Sequence, residues 1–249
     1  MKSILARTHR AALHAFVTER TLYAFDFDGT LAPIVADPRR ARLRAPTRRL
    51  LGRLADSHPC AVISGRSLAD LGPRLADVEV RLLVGNHGAE WEDGPVAPRT
   101  RAPVAAWRAR LAQHLAGLPG VVVEDKGVSL AVHYRAARDQ AGAERRVRAA
   151  ARVLPSVRLV AGKCVLNLVP AQAPHKGEAL VDACRKLRCT RAIFVGDDVT
   201  DEDVFRMKVP RGLELLGVRV GRSAKSRAEY YVKDQDEMDE LLRLLLTRR

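Results

Sequence analysis

Apolar runs of about four residues recur along this chain, and a turn and a stretch with helical spacing follow most of them. The first run is Leu22–Phe25, and similar runs occur at Cys60–Ile63, Val80–Val84 and Ala192–Val195. Short, continuous apolar runs are typical of parallel strands that are buried on both faces. Strands that alternate with helices predict an α/β fold with a parallel, Rossmann-like sheet.

The spacing of apolar residues between these runs predicts the helices. They are expected at residues 3–20, 47–57, 68–75, 103–118, 141–153, 176–187 and 236–246. Thr47 is expected to cap the second of these helices, because a threonine hydroxyl can bind a free backbone N–H group. Val218–Val220 is expected to form the final strand, at an edge of the sheet.

A different pattern occupies residues 121–169. Two pairs of strand-like runs flank the helix at 141–153, and Gly127 and Gly162 separate the members of each pair. Along residues 128–135 apolar and polar positions alternate, so one face of this sheet is apolar and the other can meet a polar ligand. The pattern predicts a smaller α+β domain at 99–170, inserted into an α/β core formed by 1–98 and 171–249.

The charge balance changes the range of possible partners. The chain has 43 Lys and Arg residues against 29 Asp and Glu residues, a formal net charge of +14. Such a charge suits a nucleic acid, an anionic membrane or an anionic small molecule. The basic residues are scattered, however, and aromatic residues make up only 4%. We therefore expect an arginine-rich surface, with no nucleic-acid or membrane partner.

Cysteine usage indicates the compartment. Cys60, Cys164, Cys184 and Cys189 form no metal-binding or redox spacing, and they are expected to be reduced thiols. The first 21 residues lack the apolar segment of a secretory signal. Together these features predict a cytoplasmic protein.

Candidate chemistry begins directly after the first apolar run, where Asp26 and Asp28 flank Phe27. In an open α/β sheet, ligands bind at the carboxyl ends of the strands. Two carboxylates so close together repel each other unless a cation or a proton intervenes, and Mg²⁺ prefers such oxygen ligands. One carboxylate can then act as a nucleophile while the other transfers protons. The alternative is a turn in which Asp28 and Gly29 only reverse the chain.

Further polar residues follow the other apolar runs. Ser64 and Gly65 follow the second run and suit a phosphate group, although a serine there can also simply cap a helix. Lys176 lies at a predicted helix start, where its charge and the free N–H groups favour an anion, although a single lysine is ordinarily a surface charge. Asp197 follows the last run, in an acidic segment that can also be an ordinary helix start.

Four short motifs, in this order, resemble those of the haloacid dehalogenase superfamily: Asp26-Phe27-Asp28-Gly29-Thr30, Ser64-Gly65-Arg66, Lys176, and Gly196-Asp197-Asp198. The string Gly85-Asn86-His87-Gly88-Ala89-Glu90 resembles the trehalose-6-phosphate phosphatase branch of that superfamily. The resemblance covers nearly the whole chain and implies a haloacid dehalogenase core, with a cap domain inserted between the second and third motifs.

The resemblance also implies a Mg²⁺-dependent phosphatase for a small sugar phosphate, with trehalose 6-phosphate as the expected substrate. It implies that Asp26 is the nucleophile and Asp28 the general acid and base, and that Ser64 and Lys176 are catalytic. The metal would be held by Asp26, Asp28 and Asp197, and the phosphate by Ser64, Gly65 and Lys176. Supporting contacts to this site would come from Asp198, Thr200 and Asp201. The expected substrate-binding residues are Arg66, Asn86, His87, Gly88, Glu124, Lys126, His133, Arg135 and Asn167.

One departure from the branch leaves the substrate open. Asn167 stands where the branch usually has an acidic residue. A glucosyl- or mannosyl-glycerate phosphate or sucrose phosphate therefore stays possible, as does a phosphomutase reaction. Two alternative functions belong to other classes of protein: a phospho-accepting regulatory protein and a basic nucleic-acid-binding protein. We expect a monomer, and whether a trehalose-6-phosphate synthase is a partner stays open.

Overall fold

The computed structural model describes residues 1–92, 94 and 104–247. It divides into two compact units, Met1–Asp93 with His175–Arg249, and Gly94–Pro174. The predicted boundary at residues 98 and 99, and the predicted helix start at residue 103, lie outside the described residues. We call the units the core unit and the inserted unit.

The strands and helices are numbered in chain order. The strands are β1 (Lys2–Ser3), β2 (Thr21–Phe25), β3 (Cys60–Ile63), β4 (Leu82–Gly85), β5 (Glu90–Trp91), β6 (Val122–Asp125), β7 (Leu130–His133), β8 (Val157–Gly162), β9 (Val165–Pro170), β10 (Arg191–Gly196), β11 (Glu214–Val220) and β12 (Tyr230–Val232). The helices are α1 (Arg7–Phe16), α2 (Ala45–Ser57), α3 (Leu68–Leu75), α4 (Val104–Leu115), α5 (Gln140–Arg152), α6 (Lys176–Lys186), α7 (Glu202–Phe205) and α8 (Gln235–Leu246).

The described part of the core unit contains an eight-stranded sheet in the order β1-β12-β11-β10-β2-β3-β4-β5. Neighbouring strands are parallel except β4 and β5, which are antiparallel. This architecture confirms the predicted α/β class with a largely parallel sheet. Because β2 lies between β3 and β10, the chain crosses from one half of the sheet to the other there, which makes this point the topological switch point.

Both faces of the core sheet are buried. On β2, Tyr23 and Phe25 belong to one hydrophobic cluster, whereas Leu22 and Ala24 belong to another on the opposite face. All four side chains are fully buried. Successive side chains of a strand point to opposite faces, so a strand between two cores must be apolar at every position. This explains the continuous apolar runs in the sequence.

Three predictions for the core unit were wrong. Val218–Val220 is not an edge strand, because β11 lies inside the sheet between β10 and β12. The first helix does not begin at Ser3, which pairs with Tyr231 in a short edge strand. Thr47 lies within α2 and does not cap it; its hydroxyl donates a hydrogen bond to the Asp239 carboxylate at 2.6 Å.

The inserted unit contains an antiparallel four-stranded sheet in the order β6-β7-β9-β8. Side chains of α4 and α5, such as Trp107 and Val147, form one hydrophobic cluster with Leu130 and Val132 of β7. The two-hairpin pattern with an intervening helix is therefore confirmed. Among the described residues, no helix has both the length and the apolar character needed to cross a bilayer.

Candidate functional site

The predicted core motifs meet at the carboxyl edge of the core sheet. Asp26 follows β2, Ser64 follows β3, Asn86 follows β4 and Asp197 follows β10. Because these strands are parallel and adjacent, their carboxyl ends lie along one edge, and the ends of β2 and β10 flank the switch point. The fold therefore brings together polar segments that are far apart in the sequence.

A buried ion-pair cluster lies at the switch point. The Lys176 Nζ atom donates hydrogen bonds to Asp26 Oδ1 and Asp201 Oδ1, each at 2.7 Å. The side chains of Lys176, Asp26 and Asp201 are only 2%, 6% and 0% exposed. The His175 ring positions Lys176, because it caps α6 by accepting hydrogen bonds from the N–H groups of Gly177 and Glu178.

Asp201 also shapes the loop that carries Asp197. Its Oδ2 atom accepts hydrogen bonds from the backbone N–H groups of Asp197 and Asp198, at 2.8 and 2.9 Å. Both carboxylate oxygens of Asp201 are thus engaged within the protein. Thr200 is buried beside it in a short 3-10 turn. This arrangement fits the predicted supporting role of Asp201. Asp198 and Thr200 lie in the same loop.

The donor set fits a divalent cation. Carboxylate oxygens of Asp26, Asp197 and Asp201 all lie within 4.8 Å of one another. These three carboxylates and the Lys176 ammonium carry a formal charge of two minus. Burial raises the pKa of the Asp26 carboxyl well above its ordinary value; Lys176 lowers it, and Asp201 and Asp197 raise it further. A cation with oxygen ligands would offset this charge, as Mg²⁺ does in such sites.

The chain provides close backbone approach at the same place. Gly29 has a φ of +81°, and a Cβ atom there would lie 2.1 Å from Asp197 Oδ2. Only glycine therefore permits the aspartate loop after β2 to turn so close to the loop after β10. The Gly29 carbonyl is held in turn by the Gln235 side chain, which donates a hydrogen bond to it at 2.7 Å.

Asp28 is not part of the cluster of Asp26, Asp197 and Asp201, and its carboxylate binds Arg66. The guanidinium of Arg66 donates two hydrogen bonds to the Asp28 carboxylate, at 2.6 and 2.7 Å, and contacts Asp70 as well. Its carbon atom Cζ lies 5.5 Å from the centroid of the Phe27 ring. The pKa of Arg66 is raised: burial opposes this, and the hydrogen bonds and charges of Asp28 and Asp70 outweigh burial. Arg66 therefore pairs with the acid and base candidate in this structure.

Residues 86–90 contact the Ser64–Arg66 segment. The N–H groups of Asn86 and His87 donate hydrogen bonds to the carbonyls of Arg66 and Ser64, at 2.7 and 2.9 Å. Gly88 completes a tight turn in which Asn86, His87 and Gly88 all have positive φ. The structure thus brings these three predicted residues next to the predicted phosphate-binding segment.

The remaining predicted residues belong to the inserted unit. His133 and Glu124 lie on one face of its sheet, with 2.7 Å between Nε2 and Oε2. Asn167 pairs in register with Ala131, on the strand beside them, and its amide donates a hydrogen bond to the Val160 carbonyl at 3.4 Å. Arg135 lies beyond the end of β7, where it donates a hydrogen bond to the Lys163 carbonyl. Lys126 lies in the turn between β6 and β7.

Sequence reasoning missed several residues of this site. Asp70 lies one helical turn beyond Arg66 and also binds Arg74, and this i, i+4 spacing was visible in the sequence. Glu90 accepts a hydrogen bond from the Leu68 N–H group at the start of α3. Gln235 had no local signal, because it lies 206 residues from Gly29.

Comparison with known proteins agrees with this geometry. Residues 24–236 match the sequence pattern of the trehalose-phosphatase family. A trehalose-phosphate phosphatase of Mycolicibacterium paratuberculosis is 42% identical over 210 residues, which cover 79% of this chain and 53% of the relative. One of Mycobacterium tuberculosis is 37% identical over 205 residues, or 77% and 52% of the two chains. The chain thus spans about half the length of these curated relatives.

Solved structures show the same fold. The carboxyl-terminal domain of Candida albicans trehalose-6-phosphate phosphatase superposes with a TM-score of 0.78 at 24% identity, covering 99% of this chain and 98% of that one. A trehalose-6-phosphate phosphatase of Aspergillus fumigatus gives a TM-score of 0.66 at 26% identity and covers 99% of each chain. A phosphatase of the haloalkanoate enzyme superfamily from Bacteroides thetaiotaomicron also matches, with a TM-score of 0.65 at 16% identity, over 90% of this chain and 94% of that one. With the family pattern matched over most of its length, this chain belongs to the trehalose-phosphatase family.

Proposed function

We propose that this chain is a Mg²⁺-dependent phosphatase that hydrolyses trehalose 6-phosphate to trehalose and phosphate. The observation that supports this most directly is the buried cluster of Asp26, Lys176 and Asp201 beside Asp197 at the switch point. A cluster that combines a carboxylate, an ammonium and room for a cation suits phosphoryl transfer. The family supplies the substrate class, because trehalose-phosphate phosphatases are the curated relatives.

In the proposed reaction, a carboxylate oxygen of Asp26 attacks the phosphorus atom and the bond to the sugar oxygen breaks. Asp28 gives its proton to the departing sugar oxygen, so the products of this step are the free sugar and an aspartyl-phosphate. Water then attacks the phosphorus atom and Asp28 takes its proton. The bond between Asp26 and phosphorus breaks, which restores both aspartates and releases phosphate.

The other residues hold the phosphoryl group and the cation. Ser64, the Gly65 N–H group and Lys176 would bind the phosphoryl oxygens, and Lys176 already bonds Asp26. The carboxylates of Asp26 and Asp197, and the backbone carbonyl of Asp28, would hold Mg²⁺. When bound, the ion offsets repulsion between carboxylate and phosphate and stabilises negative charge on the phosphoryl oxygens.

Asp28 must be released before it can transfer a proton. In the structure both of its oxygens accept hydrogen bonds from Arg66. At least one of these contacts has to open for Asp28 to reach the sugar oxygen. Arg66 therefore acts on the acid and base of the reaction in this proposal, in addition to any contact with the substrate.

The inserted unit is proposed to recognise the sugar, as a cap. Glu124, Lys126, His133, Arg135 and Asn167 provide the polar groups that a disaccharide needs, and Glu124 and His133 already lie within hydrogen-bond distance. A cap that closes over the substrate also excludes water from the reaction.

Cytoplasm is the proposed compartment, since the four cysteines are free thiols.

A second candidate substrate is another sugar phosphate, such as a glucosyl- or mannosyl-glycerate phosphate or sucrose phosphate. Asn167 is the reason for this second candidate. Its amide can form hydrogen bonds but lacks the negative charge that the branch usually has at this position. The reaction would be unchanged, since Asp26, Asp28 and Lys176 do not depend on the sugar.

The test is release of inorganic phosphate, in Mg²⁺, from a panel of sugar phosphates that includes trehalose 6-phosphate. Asp26→Asn is expected to lower kcat at least 1,000-fold, because the amide is no longer a nucleophile. Asp203→Asn is the matched control, since Asp203 is an exposed carboxylate close in sequence to the site. Preference for another sugar would reassign the substrate, and a folded, Mg²⁺-loaded protein inactive on every ester would disprove the phosphatase.

A further inference from the structure

The segment 86–90 encloses the phosphate-binding segment Ser64–Arg66 from one side. Besides the two backbone hydrogen bonds to Ser64 and Arg66, the Ser64 N–H group donates to the Val84 carbonyl at 2.9 Å. Glu90 binds the N–H group of Leu68, just beyond the segment, at 2.9 Å. Each of these hydrogen bonds is made within the protein and orients a peptide group, so none of them depends on a bound sugar.

The His87 ring occupies the space that a side chain at position 65 would need. A Cβ atom placed on Gly65 would lie 2.5 Å from His87 Cε1 and 2.8 Å from His87 Nε2. The ring therefore packs directly against the Gly65 backbone, and the His87 side chain is buried. Position 65 must therefore be glycine to leave room for the His87 ring, whether or not a phosphate is bound.

The backbone conformation shows what holds the ring in place. Asn86 and His87 have φ values of +48° and +59°, and Gly88 has +121°. Left-handed conformations at two successive residues other than glycine are costly and persist only where their surroundings enforce them. The hydrogen bonds to the carbonyls of Ser64 and Arg66 supply that enforcement.

The orientation of one peptide group links this packing to chemistry. In a trans peptide the C=O and N–H groups point in opposite directions. Because the Ser64 carbonyl accepts a hydrogen bond from the His87 N–H group, the N–H group of Gly65 points away from His87. Gly65 N–H is the backbone donor assigned to the phosphoryl group in the proposed function. The backbone of His87 thus sets the direction of that donor, and the ring packed against Gly65 limits how far the two segments can shift.

We propose that His87 is a positioning residue, which fixes the Ser64–Gly65 peptide in the orientation that binds the phosphoryl group. The family resemblance implies instead that His87 binds the substrate directly. This inference depends on the proposed phosphatase function. The two roles predict different results for a substrate without a sugar. A positioning residue still affects such a substrate, because the segment still binds its phosphoryl group, whereas a sugar-binding residue does not.

The experiment compares trehalose 6-phosphate with p-nitrophenyl phosphate, which has no sugar. His87→Ala is expected to lower kcat/KM about 10-fold or more, by a similar factor for both esters. His87→Phe keeps a ring against Gly65 and is expected to regain part of the loss. A loss confined to trehalose 6-phosphate would mean that His87 reads the sugar, and unchanged kinetics would mean that its role is structural; either result would overturn the proposal.

A second pair of variants tests the packing itself. Gly65→Ala places a methyl group where the His87 ring lies, so it is expected to reduce activity on both esters. In Gly65→Ala/His87→Ala the ring is absent, and activity is expected to rise above that of Gly65→Ala alone. A double variant that is no better than Gly65→Ala would contradict the proposed contact.

Failure of the underlying function gives a separate result. A wild-type protein that hydrolyses neither ester would contradict the phosphatase. In that case, calorimetric binding of inorganic phosphate in Mg²⁺ still tests the positioning role, because His87→Ala is expected to weaken it about 10-fold. Equal phosphate affinity in the two proteins would overturn the inference.

Discussion

At the scale of single residues, burial alters the chemistry of side chains that look ordinary in the sequence. Cys60 is fully buried within β3, and burial raises the pKa of its thiol to about 12. The ordinary pKa of a cysteine thiol, which applies to the unfolded chain, is 9.0. The folded state therefore keeps a proton that the unfolded state loses as the pH rises from 9 toward 12, so stability falls over that window.

This difference predicts how a cysteine variant responds to pH. Cys60→Ala removes the thiol, so the wild type is expected to lose about 2 to 3 kcal/mol more unfolding free energy than the variant between pH 8 and pH 11. Urea unfolding of both proteins at the two pH values measures this. Cys164→Ala is the control, since that thiol is partly exposed. A gap between wild type and Cys60→Ala that does not change with pH would contradict the prediction.

At the scale of elements, α8 is joined to α2 and to the aspartate loop by polar contacts. Asp239 of α8 accepts hydrogen bonds from Thr47 at 2.6 Å and from Arg44 at 2.7 Å. Arg44 also binds Asp236 and the Gln235 carbonyl, and the Gln235 side chain binds Gly29. The amino-terminal end of α8 therefore supports the loop that carries the proposed nucleophile.

Asp239→Ala is expected to lower the free energy of unfolding by about 2 to 3 kcal/mol. The variant leaves the buried Thr47 hydroxyl without its acceptor, and it removes one of the two carboxylates that bind the guanidinium of Arg44. Chemical denaturation of the variant and of wild type measures the loss. Glu240→Ala, at the neighbouring exposed position, is expected to change stability by less than about 0.5 kcal/mol. Equal losses in the two variants would rule out the buried contact as the cause.

The sequence predicted well those elements whose pattern is carried by their own residues and does not depend on a distant partner. The four-residue apolar runs within β2, β3 and β10 are continuous because both faces of these strands are buried, and the polar residues that follow them predicted the core motifs. The edge strand β1 and its neighbour β12 are two and three residues long. So short a run gives no periodic signal, and its pairing depends on a partner far away in the chain. The contacts of Thr47 and Gln235 were missed for the same reason.

At the scale of the whole molecule, the proposed metal site lies entirely within the core unit. Asp26 and Asp197 come from two separate segments of the chain, and both belong to that unit. A ligand that binds only the folded state stabilises it according to its concentration and affinity. Mg²⁺ is therefore expected to stabilise the core unit directly.

Mg²⁺ at about 100 times its dissociation constant is expected to stabilise the core unit by about 2.7 kcal/mol. Calorimetric melting in EDTA and in Mg²⁺ measures this as a rise in Tm, and if the two units melt separately, only the transition of the core unit should shift. Asp197→Asn is expected to lose most of the rise, and Asp203→Asn to keep it. A rise of the same size in Asp197→Asn would exclude Asp197 as a metal ligand.

The order of strands in the core sheet also has a consequence for how the protein is made. β2 lies between β3 and β10, yet β10 is translated long after them, once the whole inserted unit has been synthesised. At about 5 to 20 residues per second, the nascent chain waits on the order of ten seconds for that strand. During this interval one side of β2 is an open edge, and Asp26 has neither Lys176 nor Asp197 beside it. The growing polypeptide therefore lacks the assembled acidic cluster until β10 is made, and the open edge of β2 can pair with another chain during this interval.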